Sequence, residues 1–446
     1  MSIRSVLVSM AAKAKKTRLL DVPIRYNPLA RAAVFREIRR WEQDGIEARR
    51  ARCEAQACRI VAAARRTEYG REFGPDIRDW PVLAKPLIRD APQRFRTRQA
   101  LTIPAATGGT TGVPLQLVRS LASVAAEQAF YDHMIRRSGL TWRAARVASL
   151  RGDNIKSTAD PAPPYAVETL SGRRLLLSTP HLNADTIGWY AERLCAFRPD
   201  ILCLYPTTGA LLLNLLDQAG LDLAIPLIMC SSERLPASAM TALAARFKAE
   251  VIDYYGQAER AVLSVATSPN RHFFYPAYGR IELLPATTAE EPGSGLTAWS
   301  IAATGFWNTA MPLIRYETGD HALVPSDATA AELEAITLGL KPFHGIAGRV
   351  GDFLYAPGGG RLAALDQIPR EVEKLLQMQI VQDALDRVTI RVMVERDFSP
   401  RDRARLEANA RAKIPAGMQI AVEIVDRLEM LPNGKTPYVI RRIGEP

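Results

Sequence analysis

Five short motifs bring together residue types that could do chemistry. The first is Thr107-Gly108-Gly109-Thr110-Thr111-Gly112-Val113-Pro114, set between strand-like segments at 100–104 and 115–118. Glycines let a backbone approach a ligand closely, and hydroxyls with free N–H groups donate to phosphate oxygens; a hairpin turn would use the same composition. The lysine of a GxxxxGK[ST] loop is absent, so this is not that phosphate loop. The second motif, Asp253-Tyr254-Tyr255-Gly256-Gln257-Ala258-Glu259, follows the apolar pair Val251-Ile252. At a strand end an aromatic ring can stack on a purine and a carboxylate can hold Mg²⁺ beside phosphates, while the plainer reading is a turn with a solvated Glu259.

The third motif is Pro312-Leu313-Ile314-Arg315-Tyr316-Glu317-Thr318-Gly319-Asp320. An aspartate behind a glycine turn can accept from both hydroxyls of a ribose, in bonds strengthened by its charge, or it can simply stabilise the turn. The fourth, Gly348-Arg349, places a guanidinium where the sequence pattern changes, able to reach a nucleotide or to pair with a neighbouring acid. The fifth is Asn433-Gly434-Lys435, in which Asn-Gly signals a tight turn and Lys435 is either a solvated turn residue or a positioned cation.

The elements that must hold these residues follow from periodicity. Residues 30–66 read as helix, with Phe35, Ile38, Trp41 and Ile46 at roughly helical spacing. Pro75, Pro81 and Pro86 punctuate a connector. Between about 100 and 350, apolar runs at 147–150, 201–205, 227–230, 251–255, 281–284 and 298–302 alternate with helical stretches, which predicts an α/β or mixed architecture. Beyond residue 347 a Gly/Pro-rich stretch leads to a compact unit: a period-two strand over 388–394, a helix from Ser399 to about Lys413, and a strand over 420–425. The expected division is a large domain over 1–346 and a small one over 347–446, hinged near Gly351.

Composition excludes several classes. With 446 residues, 48% hydrophobic and 24% charged, the chain reads as globular, and no apolar run approaches the roughly 20 residues of a spanning helix. Cys53, Cys58, Cys195, Cys203 and Cys230 are odd in number and scattered, which suits a reducing, cytoplasmic setting. No Cys/His cluster has zinc spacing. The net charge of +11 favours anionic partners, but the arginines form no stripe with stacking aromatics, so nucleic acid is not expected. Arg4, Lys13, Lys15, Lys16 and Arg18 read as a basic surface helix, since lysines continue where a cleavage site should stand.

In this order and at these separations, the five motifs resemble those of the adenylate-forming superfamily of acyl-CoA synthetases, adenylation domains and luciferases. Within it they are most similar to the phenylacetate-CoA ligase-like branch that includes capsular-polysaccharide-biosynthesis-type proteins. The resemblance runs from Trp80-Pro81-Val82-Leu83-Ala84-Lys85, which looks like that branch's opening segment, to Lys435.

It implies an α/β fold with a large N-terminal adenylate-forming domain of mixed sheets and helices and a small, mobile α+β C-terminal domain. It further implies an enzyme that activates a carboxylate with ATP, forming an acyl- or aryl-adenylate and pyrophosphate and then a thioester with coenzyme A. By resemblance Thr107, Gly108, Gly109, Thr110, Thr111 and Gly112 cradle phosphate, Ser232 and Glu233 line the adenine edge, and Tyr255 and Gly256 pack against the base. Asp320 binds the ribose hydroxyls, Arg349 the ribose or phosphate, and Glu259 holds Mg²⁺. Lys435 is the catalytic cation, and Tyr205, Thr208, Tyr254 and Gly256 line the acyl pocket. The expected partners are a small carboxylic acid, aromatic by family analogy, together with ATP, coenzyme A and a second copy of the chain as a homodimer.

Three departures qualify the resemblance. Leu115 stands where a loop lysine is usual. Ala258 replaces the threonine before the metal-binding glutamate, so that water or Thr111 must supply the lost hydroxyl. Leu354-Tyr355-Ala356-Pro357-Gly358-Gly359-Gly360 replaces the usual run toward a pantetheine tunnel. They leave open an amine or carrier-protein thiol as acceptor, transfer of AMP to a cofactor, or a non-catalytic nucleotide-binding protein of a biosynthetic pathway.

Overall fold

The computed structural model describes residues 21–107, 115–151, 155–157, 160–170, 172–286, 295–347, 353–357, 361–362, 365, 368–369, 371–431 and 434–444. Gly108, Gly109, Thr110, Thr111, Gly112, Arg349, Gly351, Asn433 and the basic segment before residue 21 lie outside them.

The helical stretch expected over 30–66 is two helices. Pro28–Gln43 starts on an Asn27 cap, whose Oδ1 accepts from the Ala30 N–H at 2.9 Å. It stops at Asp44, which is extended, and Gly45 then caps Ile46–Ala64. Apolar periodicity does not register a two-residue break that leaves the buried stripe of Ile38, Trp41, Cys53 and Ala57 in phase.

The centre is an eight-stranded sheet in the order His272–Phe274, Leu263–Ala266, Glu250–Gly256, Leu227–Ser231, Ile201–Leu204, Val147–Leu150, Arg174–Leu177 and Ala166–Thr169. The strands from Glu250–Gly256 to Arg174–Leu177 pair in parallel. Ile201–Leu204 and Leu227–Ser231 are buried throughout, as strands covered on both faces require. The helices Ile187–Phe197, Pro206–Ala219 and Ala237–Phe247 make the crossovers. From Val147–Leu150 the chain first adds Arg174–Leu177 on one side, then returns to add Ile201–Leu204 on the other. That reversal opens a crevice at the carboxyl ends of Val147–Leu150 and Ile201–Leu204, where open α/β sheets bind ligands.

A second sheet, Gly279–Pro285, Leu296–Gly305, Tyr316–Pro325 and Gly345–Ala347, is antiparallel. Gly305 lies so close to the first sheet that an added Cβ would stand 2.2 Å from the Arg260 carbonyl oxygen. Only glycine permits that approach, and it fixes the backbone just after Glu259.

The C-terminal unit orders its strands Gln419–Ile424, Arg387–Val394, Leu375–Ala384 and Val439–Arg441, with the helix Pro400–Arg411 closed by a Ser399/Asp402 capping box. Its Leu376, Met393 and Leu428 are fully buried in one apolar cluster with the helices Pro206–Ala219 and Ala237–Phe247. Burial of each such side chain is worth about 1.5–3 kcal/mol, so this apolar seat holds the small unit over the parallel sheet's carboxyl edge.

Candidate active site

A cleft of about 1750 Å³ runs between the carboxyl edge of the parallel sheet, the second sheet and the C-terminal unit. The Asp253-to-Glu259 motif crosses its floor. Tyr255, at the end of Glu250–Gly256, donates its phenol hydroxyl to Asp320 Oδ2 at 2.8 Å. Burial first, and then the Asp320 carboxylate, push the Tyr255 phenol well above its ordinary range, so it remains a donor. Asp320 arrives from Tyr316–Pro325, after Gly319 at φ +77°.

Glu259 is 7% exposed and sits on a turn whose next residue, Arg260, takes the left-handed φ of +57°. Its Oε1 accepts the Tyr316 hydroxyl at 2.6 Å and stands 3.2 Å from Lys85 Nζ. Lys85 reaches it because backbone bonds stitch Leu83 to the second sheet: Leu83 N–H to the Arg315 carbonyl at 2.9 Å and Glu317 N–H to the Leu83 carbonyl at 3.0 Å. One buried carboxylate suits Mg²⁺ carried in on nucleotide phosphates, because that ion keeps water and phosphate ligands and takes one or two carboxylates. Among the described residues no group of three or more His, Cys, Asp or Glu side chains forms a metal cage, so Glu259 and the phosphates would hold the ion.

Across the cleft stands Glu233. Its Oε2 accepts the Thr207 N–H, in the first turn of Pro206–Ala219, at 3.0 Å, and its Oε1 accepts the Thr436 N–H at 2.5 Å. Burial raises the Glu233 carboxyl above its ordinary value, against the pull of the two N–H donors and of Lys435. The loop carrying Lys435 closes on itself through Gly434 N–H to the Leu431 carbonyl and Leu431 N–H to the Lys435 carbonyl, both 2.8 Å, with Gly434 at φ +75°.

The structure thus brings Tyr254, Tyr255, Gly256, Glu259, Ser232, Glu233, Asp320, Lys435 and Thr107 to one cleft. Thr107 closes the neck of its loop, its N–H to the Leu115 carbonyl at 3.1 Å and its Oγ1 accepting Leu115 N–H at 2.9 Å. Gly108, Gly109, Thr110, Thr111, Gly112 and Arg349 lie outside the described residues. Thr208 is 1% exposed and away from the cleft wall, which Thr207 meets instead. Tyr205 is buried beneath the Arg151 guanidinium, 5.4 Å from ring centroid to Cζ.

Sequence reasoning missed Lys85 as the cation beside Glu259, Tyr316 as its hydroxyl donor, and Arg151. Arg151 had a usable signal, since it directly follows the buried run 147–150 at a parallel strand's carboxyl end. Lys85 had none, because it meets Glu259 only through pairing across more than 200 residues.

Comparison with solved structures settles the architecture. The chain superposes on 2-hydroxyisobutyryl-CoA ligase in the postadenylation state in complex with 2-HIB-AMP, with a TM-score of 0.60 and 15% identity over 90% of each chain. The fold is that of the adenylate-forming ligases. The same ligase with R3-HIB-AMP matches at a TM-score of 0.56 and 15% identity, over 89% of this chain and 88% of that one. Residues 354–442 match the family described as the CapK C-terminal domain. Protein CapK of Staphylococcus aureus is 21% identical over 376 residues, covering 82% of this chain and 81% of its own. The fold class read from the motifs, a large domain of mixed sheets with a small α+β unit, is therefore the one observed. No described helix is long and apolar enough to cross a membrane.

Proposed function

We propose that the protein is an ATP-dependent ligase that adenylates a small carboxylic acid and passes the acyl group to the thiol of coenzyme A. The observation that carries this reading is the Glu233 contact with Thr436, which holds the Lys435 loop over a cleft already containing Asp320, Tyr255 and Glu259. A nucleotide binder has no need of a lysine delivered from a separate unit.

In the first half-reaction a carboxylate oxygen attacks the α-phosphorus. The new O–P bond forms as the bond to the bridging oxygen breaks, and pyrophosphate leaves. Charge accumulates on the phosphate oxygens, and the Lys435 ammonium is the group to offset it. Asp320, fixed by Tyr255, takes the ribose hydroxyls, and residues 107–112 form the phosphate cradle. Mg²⁺, held by Glu259 and the phosphates, supplies charge neutralisation when bound. In the second half-reaction the thiol sulfur attacks the acyl carbon, its proton passes to solvent, and AMP leaves. Rotation of the small domain, 347–446, about a hinge near Gly351 would exchange the Lys435 loop for the acceptor between the two steps.

The test is pyrophosphate and AMP release from ATP and Mg²⁺ over a panel of aryl and aliphatic acids, with and without coenzyme A. Acid-dependent pyrophosphate release with AMP release enhanced by coenzyme A supports the proposal. Acid-dependent release indifferent to coenzyme A overturns the acceptor and points to an amine or a carrier-protein thiol.

A further inference from the structure

The adenylation reading leaves several cations of the cleft unused, and Arg151 is the one that stands where the sheet's winding reverses. Arg151 follows Leu150 at the carboxyl end of Val147–Leu150, in the crevice where the sheet's winding reverses, and it lines the cleft. Its partners there are hydroxyls and a ring. Nη1 donates to the Tyr254 hydroxyl at 3.2 Å, Nη2 to Ser231 Oγ at 2.6 Å, and the guanidinium lies over Tyr205. Among the described residues no carboxylate is within ion-pair distance of Arg151, whereas Arg260 of the same cleft has Glu127 at 3.6 Å. Hydroxyls satisfy donors but do not neutralise charge, so a part-buried guanidinium held by hydroxyls keeps its charge available to an anion. Its planar fork is also shaped for two-point binding of a carboxylate or similar oxyanion.

The surroundings indicate where that anion comes from. Tyr254 is the residue before Tyr255, whose hydroxyl is committed to Asp320, so Arg151 lies on the side of the strand end away from the ribose site. Tyr131 packs edge-on against Tyr254 at 5.4 Å and stacks on Trp142 at 5.9 Å, giving this end of the cleft an aromatic wall. Tyr131 and Tyr254 on the cleft wall, beside a guanidinium with no carboxylate partner among the described residues, suit a ligand with a flat or apolar middle and an anionic end.

We propose that Arg151 is a specificity-determining residue that binds a second anionic group on the acid substrate, so that the preferred acid is a dicarboxylate or an equivalent dianionic acid. One carboxylate is activated and the other rests on Arg151. This inference depends on the adenylation reading for the first carboxylate and goes beyond it by naming the class of acid.

The experiment compares matched acids that differ only in the distal group, succinate with butyrate, glutarate with valerate and phthalate with benzoate, by acid-dependent ATP–pyrophosphate exchange in the wild type, Arg151→Gln and Arg151→Lys. A charge-assisted bond lost on omitting the distal carboxylate predicts a preference of about tenfold or more in kcat/KM for the dianionic member of at least one pair. Arg151→Gln should erase that preference and Arg151→Lys retain part of it, with the KM for ATP moved far less than that for the acid. Preference for the neutral-tailed member of every pair overturns the proposal. So does an equal loss for all acids with a raised KM for ATP, which would assign Arg151 to the α-phosphate or the reacting carboxylate. If no acid supports exchange, the adenylation reading fails, and calorimetric titration of succinate and phthalate decides the anion site separately. Binding by the wild type that Arg151→Gln abolishes supports the site, whereas equal binding by both, or none by either, overturns it.

Discussion

Glu233 and Thr436 tie the two walls of the cleft together. One carboxylate accepts a backbone N–H from the first turn of Pro206–Ala219 and another from the residue after Lys435. The lysine's position over the site is thus set by a bond to its neighbour's backbone as much as by its own side chain. Glu233→Ala removes both acceptors, and loss of charge-assisted bonds of this kind should slow adenylation about tenfold or more. Thioester formation from preformed adenylate should fall less, because the proposed rotation breaks the contact before that step. Half-reaction rates measured separately check this, and equal losses in both would mean that Glu233 only stabilises the fold.

Asp320 and Tyr255 predict a graded effect on the nucleotide. Asp320→Ala should raise the KM for ATP by about tenfold or more, since a charged acceptor for the ribose hydroxyls is lost. Tyr255→Phe should raise it only several-fold, because it removes one bond that orients the carboxylate. Initial rates against ATP and its 2′- and 3′-deoxy analogues read this directly. The deoxy analogues should lose their disadvantage in Asp320→Ala.

Much of this site was legible because its motifs are local. Ser399 as a cap, the period-two strand near 388–394 and the strand before Tyr255 each follow from neighbouring residues, and each appears within a residue or two of its expected place. The break at Asp44-Gly45 carried a local signal, since Asp-Gly marks a turn, but the apolar stripe that both helices bury runs through it in phase and concealed it. For another reason Lys85 was illegible as a site residue, and Arg151 was legible only by its place at a strand's carboxyl end. What makes each one matter is a partner far away in sequence, Glu259 for one and Tyr254 with Ser231 for the other.

Two glycines should respond in opposite directions to the same change. Gly305→Ala places a methyl 2.2 Å from the Arg260 carbonyl oxygen, so the backbone after Glu259 must move. Overpacking against backbone predicts a loss of about 1–3 kcal/mol or more, together with lost activity. Gly188, inside the helix Ile187–Phe197, has nothing within 4 Å of an added Cβ, so Gly188→Ala should stabilise by about 0.5–1 kcal/mol. Thermal melts of the two variants side by side make the comparison.

Thiol chemistry offers a check on burial. Cys58 and Cys195 are exposed, whereas Cys53, Cys203 and Cys230 are buried. Burial pushes the Cys53 thiol up to about 11, and Cys230 rises well above its ordinary value for the same reason. A raised thiol pKa favours the neutral form, so stability linked to Cys53 is complete below its unfolded value and is lost as the pH climbs toward about 11. At pH 8 a thiolate-selective reagent should label Cys58 and Cys195 in the native protein and reach the other three only on unfolding, which peptide mapping would read.

The central claim is that Lys435 completes a site that adenylates an acid, and the most direct measurement is acid-dependent exchange of labelled pyrophosphate into ATP by the wild type and Lys435→Ala. The account predicts exchange that requires one class of acid and falls by about 10²-fold or more in the variant, the scale of removing one charge donor to a transition state. Exchange undiminished in Lys435→Ala, or none with any acid while ATP still binds, would contradict it.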